Sequence, residues 1–548
     1  MLQLNPTVGD ITSNTNNIIE SVLKMKADII LTPEMSICGY PPRDLLHYGS
    51  FIQACEEAVQ RVAQACNEQT VLVGHPRLES LTGHVRNSVS VLRNGEIIAV
   101  ADKQLLPSYD VFDEKRYFES GDQICTFELL GEKIGIAICE DFWRGFDSSS
   151  APMYEINPVR QLLDASCSIL VSPSASPFVT NKHQSHLEYA LDLASEHSIV
   201  VAVCNQVGGN DDLVFDGGSF VVSSKGLLGK SPLFAVSDSS VSLKSDPIAT
   251  ENDICNDKER CNALVLGIKD YFGKTGHTKA LLGISGGIDS ALVATLAVCA
   301  LGKEAITGVL MPSRYSSIGS IEDAEQLAKN LGITTTTLPI EYMHAAFEQT
   351  LRDSCEEASG LAEENAQARI RGLLLMALSN QQGSLLLATG NKSELAVGYS
   401  TMYGDMSGSV SVIGDIYKTD VWSMSNFLND AYKSFGFSTP PIPESSISKP
   451  PSAELRPNQL DQDSLPSYEE LDAVLRLHID LDFDADEIED EINCTPELIS
   501  TIIRMVDIAQ FKRDQAAVIF KTSPRTFGRG RRMPIVMKRN WASIRETT

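Results

Sequence analysis

Residues 279–302 read KALLGISGGIDSALVATLAVCALG. A short apolar run meets two glycines and resumes as a long apolar stretch, which predicts a strand, a turn and a helix in direct succession. ITGVLMP (306–312) and LLLATG (385–390) repeat the strand signal with helical segments between them, and a further helix is predicted over about 257–274. This βαβ rhythm predicts a doubly wound parallel sheet.

The turn itself carries chemistry. Gly286 and Gly287 let the backbone approach an anion, and the free amides at the start of the next helix favour phosphate oxygens. A Walker loop would need GK[ST], and SGGIDS has no lysine. It has Asp289 and two hydroxyls, Ser285 and Ser290. An aspartate beside phosphates needs a cation between them, which implies Mg²⁺. The plain alternative is a Gly-Gly turn joining any strand to any helix.

A chain of 548 residues exceeds one hydrophobic core, so several domains are expected. Up to about residue 240, short apolar runs alternate with amphipathic stretches. ADIILT (27–32), VLVGHP (71–76), SVSVL (88–92), KIGIAIC (133–139), CSILVSPS (167–174) and IVVAVCNQ (199–206) read as strands. IIESVLKMK, FIQACEEAVQRVAQAC and HQSHLEYALDLASEHS read as helices by their 3.6 period. Residues 241–260 fall in an aperiodic, Ser- and Asp-rich stretch and are read as a linker between domains 1–240 and 261–548. From 438 to 467 the chain is Pro-rich, a long irregular segment of the kind that is functional or disordered, with its Lys and Arg favouring function. A helical tail is expected to follow, ending in the basic run FGRGRRMP.

The net charge of −27 argues against a general nucleic-acid binder. No run of eighteen apolar residues and no signal peptide is seen, so no membrane association is expected. The 12 cysteines form no CxxC pair, which disfavours structural zinc and fits a reducing cytoplasm.

In the first half, Glu34 stands just past a strand in TPEMSICGYPPRDLL, Lys103 near a strand end in VADKQLLPSYD, and Cys139 at the end of KIGIAIC. A thiolate near a lysine and a carboxylate has a lowered pKa and a proton acceptor at hand. Glu34 as base, Lys103 as oxyanion partner and Cys139 as nucleophile would attack an amide carbonyl. Taken singly, each has a plain reading: a cysteine ending a strand is usually a small core residue, and a lone Lys or Glu is usually on the surface.

PEMSICGYPPRDL, DKQLLPSYDVFDEKRYF, ICEDFW and CNQVGGNDDLVFDGGS together resemble the nitrilase-type glutaminase domain, an αββα sandwich. The resemblance places that family's triad on Glu34, Lys103 and Cys139, with Glu114 as the supporting glutamate. It places Tyr109, Glu140, Ser176 and Lys182 in the glutamine pocket, although SASPFVTNK also reads as a plain loop. That family begins with more apolar residues than MLQLNPTVGD supplies, so a weakened first strand or a misplaced start codon is expected.

SGGIDS resembles the pyrophosphate loop of N-type ATP pyrophosphatases. In series with ENAQARIR, TGNKSE, GYSTMYGD, KPPSAELRP, QxDxDSLPxY and FGRGRR it is similar to the synthetase domain of NAD synthetases. The whole chain thus resembles the glutamine-dependent NAD⁺ synthetase family. That resemblance implies a carbon–nitrogen ligase using deamido-NAD⁺, ATP, glutamine and Mg²⁺, in a cytoplasmic homodimer or higher homo-oligomer. It implies that Ser285, Gly286, Gly287, Ile288, Asp289, Ser290 and Thr389 bind ATP. Arg369, Glu394, Asp405 and Lys418 would meet deamido-NAD⁺ or its activated carboxylate, and Asp289 and Glu394 would hold Mg²⁺. Lys449 and Arg531 would close over phosphates. The alternatives are a related amidotransferase with another acceptor, a nucleotide sensor with a spent site, and a simple amidase with an appended domain.

Overall fold

A computed structural model describes residues 1–79, 82–146, 154–249, 255–354 and 360–538. The chain forms two compact units, Met1–Gly276 and His277–Thr548.

The first unit is built on two large sheets, with two small two-stranded ones beside them. The four-stranded one runs Ile29–Leu31, Thr70–Leu78, Val85–Arg93, Glu96–Asp102; the six-stranded one runs Gly226–Lys230, Phe220–Ser223, Val200–Asn205, Ile169–Ser174, Glu132–Ile136, Cys125–Leu129. Side-chain alternation sorts the strands between two cores. Leu72, Val89 and Val91 join Ile134, Ile136, Val171 and Ala202 between the sheets. Val71, Val73 and Leu92 turn the other way, against Ile18, Val22, Ile52 and Val59 of helices Ile11–Lys24 and Gly49–Ala65. Helix Lys182–His197 covers the six-stranded sheet through Leu187, Ala190 and Ala194. This is the αββα sandwich. The six strand and three helix segments read from periodicity are all present, while Glu96–Asp102, Cys125–Leu129 and the hairpins after residue 206 are additional. The opening strand is only Leu2–Gln3, paired with Ser237–Asp238. Helix Asn256–Thr275 packs on the hairpin Val207–Asn210 and Leu213–Asp216, so it belongs to this unit.

The second unit carries one six-stranded sheet in which every pair is parallel. Across the sheet the strands are Thr334–Thr337, Ile306–Leu310, Ala280–Gly283, Leu385–Ala388, Val410–Ser411 and Val518–Ile519. In chain order that is 3-2-1-4-5-6, the doubly wound order, with its switch point between Ala280–Gly283 and Leu385–Ala388. Helix Ile288–Leu301 is apolar all round, and nine of its residues are buried. The helical tail differs from expectation. Helices end at Gln510–Arg513, and Val518–Ile519 then adds the sixth strand, because the short β-branched run AAVIF completes a sheet edge better than it propagates a helix. The Pro-rich segment is ordered, with a short helix at Glu444–Ser448.

Candidate active sites

In the first unit, strand Glu132–Ile136 ends just before Cys139, which caps the four-residue helix Glu140–Trp143 with φ 47° and ψ −100°. A β-carbon-bearing residue held there is strained, and the tight strand-to-helix turn projects its side chain away from the sheet. The turn is tied down by Asp141, whose carboxylate accepts from the amides of Gln104 (3.0 Å), Leu105 (2.7 Å) and Ile138 (3.3 Å). These bonds lock the cysteine turn to the segment carrying Lys103.

Lys103 is fully buried and donates to Glu34 Oε1 and Glu114 Oε1, both at 2.8 Å. Asn87 Nδ2 donates to Glu34 at 2.7 Å, Tyr40 OH donates to Glu114 at 2.8 Å, and the Ala175 amide donates to Glu34 Oε2 at 3.2 Å. Glu34, Lys103, Glu114 and Cys139 are thus brought together as predicted, close enough for the charges of all three to act on the thiol. The expected depressed thiol pKa is not what this environment produces. Burial first, then the Glu34 charge, push the Cys139 thiol well above its ordinary value against the pull of Lys103. Cys139 therefore rests as a thiol. Burial and the neighbouring Glu34 also raise Glu114 to about 7, with Lys103 opposing.

The four residues expected around glutamine fall in two pairs. Tyr109 OH donates to Glu140 Oε2 at 3.0 Å, and Tyr154 OH to its other oxygen at 2.7 Å. Ser176 and Lys182 line a small cavity with Trp143, Asn205 and Asp216. Asn205 Oδ1 accepts from the Ser176 amide (2.9 Å) and its Nδ2 donates to Asp216 (3.2 Å). Burial raises Asp216 to about 7, while Lys182 pulls it down. Asn87, Tyr40, Asp141, Asn205 and Asp216 were not singled out from sequence. All but Asn87, which stands just before the strand read at 88–92, lie inside a motif that was, but only tertiary packing shows that they turn inward.

In the second unit a cavity of about 370 Å³ opens at the carboxyl ends of the strands, at the switch point. Ser285, Gly287, Ile288, Asp289, Ser290, Thr389, Glu394, Asp405 and Lys418 all line it. The loop is pre-shaped: Ser285 and Ser290 hydroxyls lie 3.1 Å apart, the Gly287 amide donates to Ser285 Oγ at 3.1 Å, and Ser290 Oγ donates to the Gly287 carbonyl at 3.0 Å. Gly286 faces the other way. It adopts φ 78°, and a Cβ there would sit 2.1 Å from the Ser320 carbonyl oxygen. Its own carbonyl accepts from Ser446 Oγ of the Pro-rich segment at 3.0 Å. That segment also supplies Lys449, which bonds Asp323 (2.9 Å) and Ser320 (3.1 Å), and Pro450, Pro451 and Ser452 complete the cavity wall.

Asp289 is the hub. Its Oδ1 accepts from Asn391 Nδ2 at 2.9 Å, and its Oδ2 pairs with Lys418 Nζ. Lys418 also lies 3.8 Å from Glu394. Asn391 and Glu394 form the capping box of helix Lys392–Val397, which fixes both side chains. Burial, then the Asp289 charge, raise Glu394 to about 8, with Lys418 opposing. Burial raises Asp405 to about 6; its Oδ1 accepts from the Thr401 amide at 2.7 Å. Arg369 does not line the cavity: it is exposed and its Nε donates to the Met402 carbonyl at 3.3 Å, whereas Arg371 of the same helix lines it. Lys392 is structural, buried among Asp415 (3.0 Å), Asp480 (2.9 Å) and Ser523 (2.6 Å).

Comparison with known proteins matches the two halves to two families, with the second match beginning inside helix Asn256–Thr275 of the first unit. Residues 1–230 match the carbon-nitrogen hydrolase family and residues 260–516 the NAD synthase family. A glutamine-dependent NAD(+) synthetase of Synechocystis is 44% identical over 98% of this chain and 98% of its own length. One from Acinetobacter baylyi is 39% identical over 98% and 97%. The structure of a glutamine-dependent NAD⁺ synthetase from Acinetobacter baumannii, in complex with adenosine diphosphate, superposes with a TM-score of 0.76 at 36% identity over 98% of both chains. With two buried constellations on two matching folds, the chain belongs to the family of glutamine-dependent NAD⁺ synthetases.

Proposed function

We propose that this chain amidates deamido-NAD⁺ with ammonia released from glutamine, consuming ATP and giving NAD⁺, AMP, pyrophosphate and glutamate. The observation that supports the reading is that one chain brings Lys103 and Glu34 together near Cys139 and pairs Asp289 with Lys418 at the switch-point cavity.

In the first site, glutamine binds with its amide carbonyl over Cys139. Tyr109, Glu140, Ser176 and Lys182 shape its pocket. Because the thiol rests protonated, attack requires a base, and Glu34 takes the proton as the C–S bond forms. Lys103 stabilises the oxyanion. The same proton then passes to the departing nitrogen, ammonia leaves, and water hydrolyses the thioester to glutamate.

In the second site, the nicotinate carboxylate is a poor acylating agent, since oxide would have to leave. Transfer of AMP to it from ATP makes AMP the leaving group. The Ser285–Ser290 loop holds the departing pyrophosphate through backbone amides and hydroxyls. Thr389 lies beside the nucleotide, and Asp405 recognises deamido-NAD⁺, with Arg371 rather than Arg369 as the arginine of the cavity wall. Lys418 neutralises charge at the adenylated carboxylate, which ammonia then attacks. Asp289 and Glu394 are hard oxygen donors and already share a cation, the Lys418 ammonium, which supports them as the residues that hold Mg²⁺. When bound, the ion offsets the negative charge of the phosphates.

We further assign the chain to the cytoplasm and to a homodimer or larger homo-oligomer. The cysteines among the described residues are free thiols, as a reducing compartment requires. No helix among the described residues is long and apolar enough to cross a membrane. Leu373 and Met376 expose apolar surface on helix Leu361–Gln382, which suits a second copy.

The test is NAD⁺ and AMP formation from deamido-NAD⁺, ATP and Mg²⁺ by wild type and Cys139→Ala, each with glutamine or an ammonium salt. The variant is expected to lose glutamine use and keep ammonia use. Absence of NAD⁺ from wild type with either nitrogen source refutes the acceptor.

A further inference from the structure

The geometry points to a binding site for a borderline divalent cation such as Zn²⁺ at His344, Glu348 and Glu363, on the helices Glu341–Ser354 and Leu361–Gln382. His344 and Glu348 lie four residues apart, on one helix face. Glu363, in the first turn of the second helix, supplies the third donor. One ligand atom from each of the three lies within 4.8 Å of the others, and His344 Nε2 is 3.7 Å from Glu348 Oε1. Bonds of about 2.0–2.1 Å in a tetrahedral site set ligand atoms about 3.4 Å apart, so slight contraction around an ion completes the geometry.

The second observation is His344 itself. Its side chain is fully buried, and neither ring nitrogen has a hydrogen-bond partner. Buried imidazole nitrogens are normally paired, and an orphan of this kind calls for a ligand. Nε2 faces Glu348 at a distance too long for a hydrogen bond and suited to a shared ion.

Charge around the site agrees. Glu341, Glu348 and Glu363 contribute three negative charges, and Arg314, paired with Glu341 (2.6 Å) and Glu348 (3.2 Å), contributes one positive charge. With a neutral imidazole the set carries two net negative charges, matching a divalent ion. Tyr315 OH donates to Glu363 Oε1 at 3.0 Å and so orients that ligand from outside. Imidazole with two carboxylates selects a borderline metal over Mg²⁺. Three protein ligands leave a fourth position for water.

The test uses the full chain, stripped with a chelator and held in excess Mg²⁺ so that the all-oxygen site is saturated. It is titrated with Zn²⁺ for stoichiometry and with Co²⁺ for its visible absorption. Wild type is expected to bind one equivalent more than His344→Asn, with a Co²⁺ spectrum free of thiolate charge transfer. Glu363→Gln, at a half-buried position that should fold even if the histidine variant does not, is expected to weaken binding at least about tenfold, and Tyr315→Phe about tenfold. Equal stoichiometry and affinity in wild type and Glu363→Gln, or binding only with a thiolate spectrum, overturns the site.

Discussion

Lys418 and Asp289 form an ion pair across the switch point of the parallel sheet, with the lysine side chain almost wholly buried. One residue opens the helix after the first strand and the other opens a helix far along the chain, so the pair exists only in the folded unit. Taking away the lysine leaves Asp289 and Glu394 without the cation they share and, in the proposed mechanism, leaves the activated carboxylate without a charge partner. Lys418→Met is expected to lower ammonia-dependent NAD⁺ formation by about 10²–10³-fold, while glutamine hydrolysis persists. Equal loss of both activities would show that the lysine serves the fold rather than the reaction.

The two loop glycines separate structure from binding. At Gly286, alanine must adopt φ 78° and place its Cβ 2.1 Å from the Ser320 carbonyl. Gly286→Ala is therefore expected to destabilise the unit by about 1–3 kcal/mol. At Gly287 the nearest atom to an added Cβ is the Ser285 hydroxyl at 3.2 Å, a side chain able to turn away. Gly287→Ala is expected to keep its unfolding temperature and raise the KM for ATP, because the methyl group would stand between the amides and the phosphates. Thermal unfolding and ATP titration of the two variants check this; a Gly287→Ala enzyme with unchanged KM would place the phosphates elsewhere.

What was readable in the sequence follows from how local each signal is. Strands Ala280–Gly283 and Leu385–Ala388 are apolar and end in Gly-containing loops, so both walls of the second site were legible. The edge strand Thr334–Thr337, beside Ile306–Leu310, is four mostly exposed threonines, without the alternation that marks a half-buried strand. Val410–Ser411 and Val518–Ile519 are too short for any period. In the first unit the strand at 88–92 was legible, but not that Asn87, just before it, turns inward to join Glu34 and Glu114. The thiol environment misled for the same reason: proximity of Lys103 suggested a depressed pKa, whereas complete burial beside Glu34 has the larger effect. Arg369 and Arg371 stand two apart on one helix, and motif alone could not say that Arg371 is the one that reaches the cavity.

Asp141 makes a separable prediction. Its carboxylate accepts the amides of Gln104, Leu105 and Ile138, so it sets the distance between Lys103 and Cys139 without touching either functional group. Asp141→Ala leaves three buried amides unpaired, each costing about 1–3 kcal/mol. Glutamine-dependent synthesis is expected to fall sharply while ammonia-dependent synthesis persists. Glutamine turnover at the wild-type rate would show that the turn holds its shape without this anchor.

Glu114 sets the pH response of the first site. Burial, reinforced by Glu34, raises it to about 7 against the pull of Lys103. On the acid side of that value Glu114 is protonated and its charge no longer holds Lys103, so the arrangement of Lys103 beside Glu34 and Cys139 is weakened. On the alkaline side Glu114 is ionised and Lys103 is held from two directions. Glutamine hydrolysis is therefore expected to rise with pH through about 7. In Glu114→Gln the titrating carboxyl is gone, so the acid limb near 7 should be lost even as the maximal rate falls. Measuring kcat/KM for glutamine across that range in both enzymes decides it: an acid limb at the same pH in the variant would remove Glu114 as the titrating group.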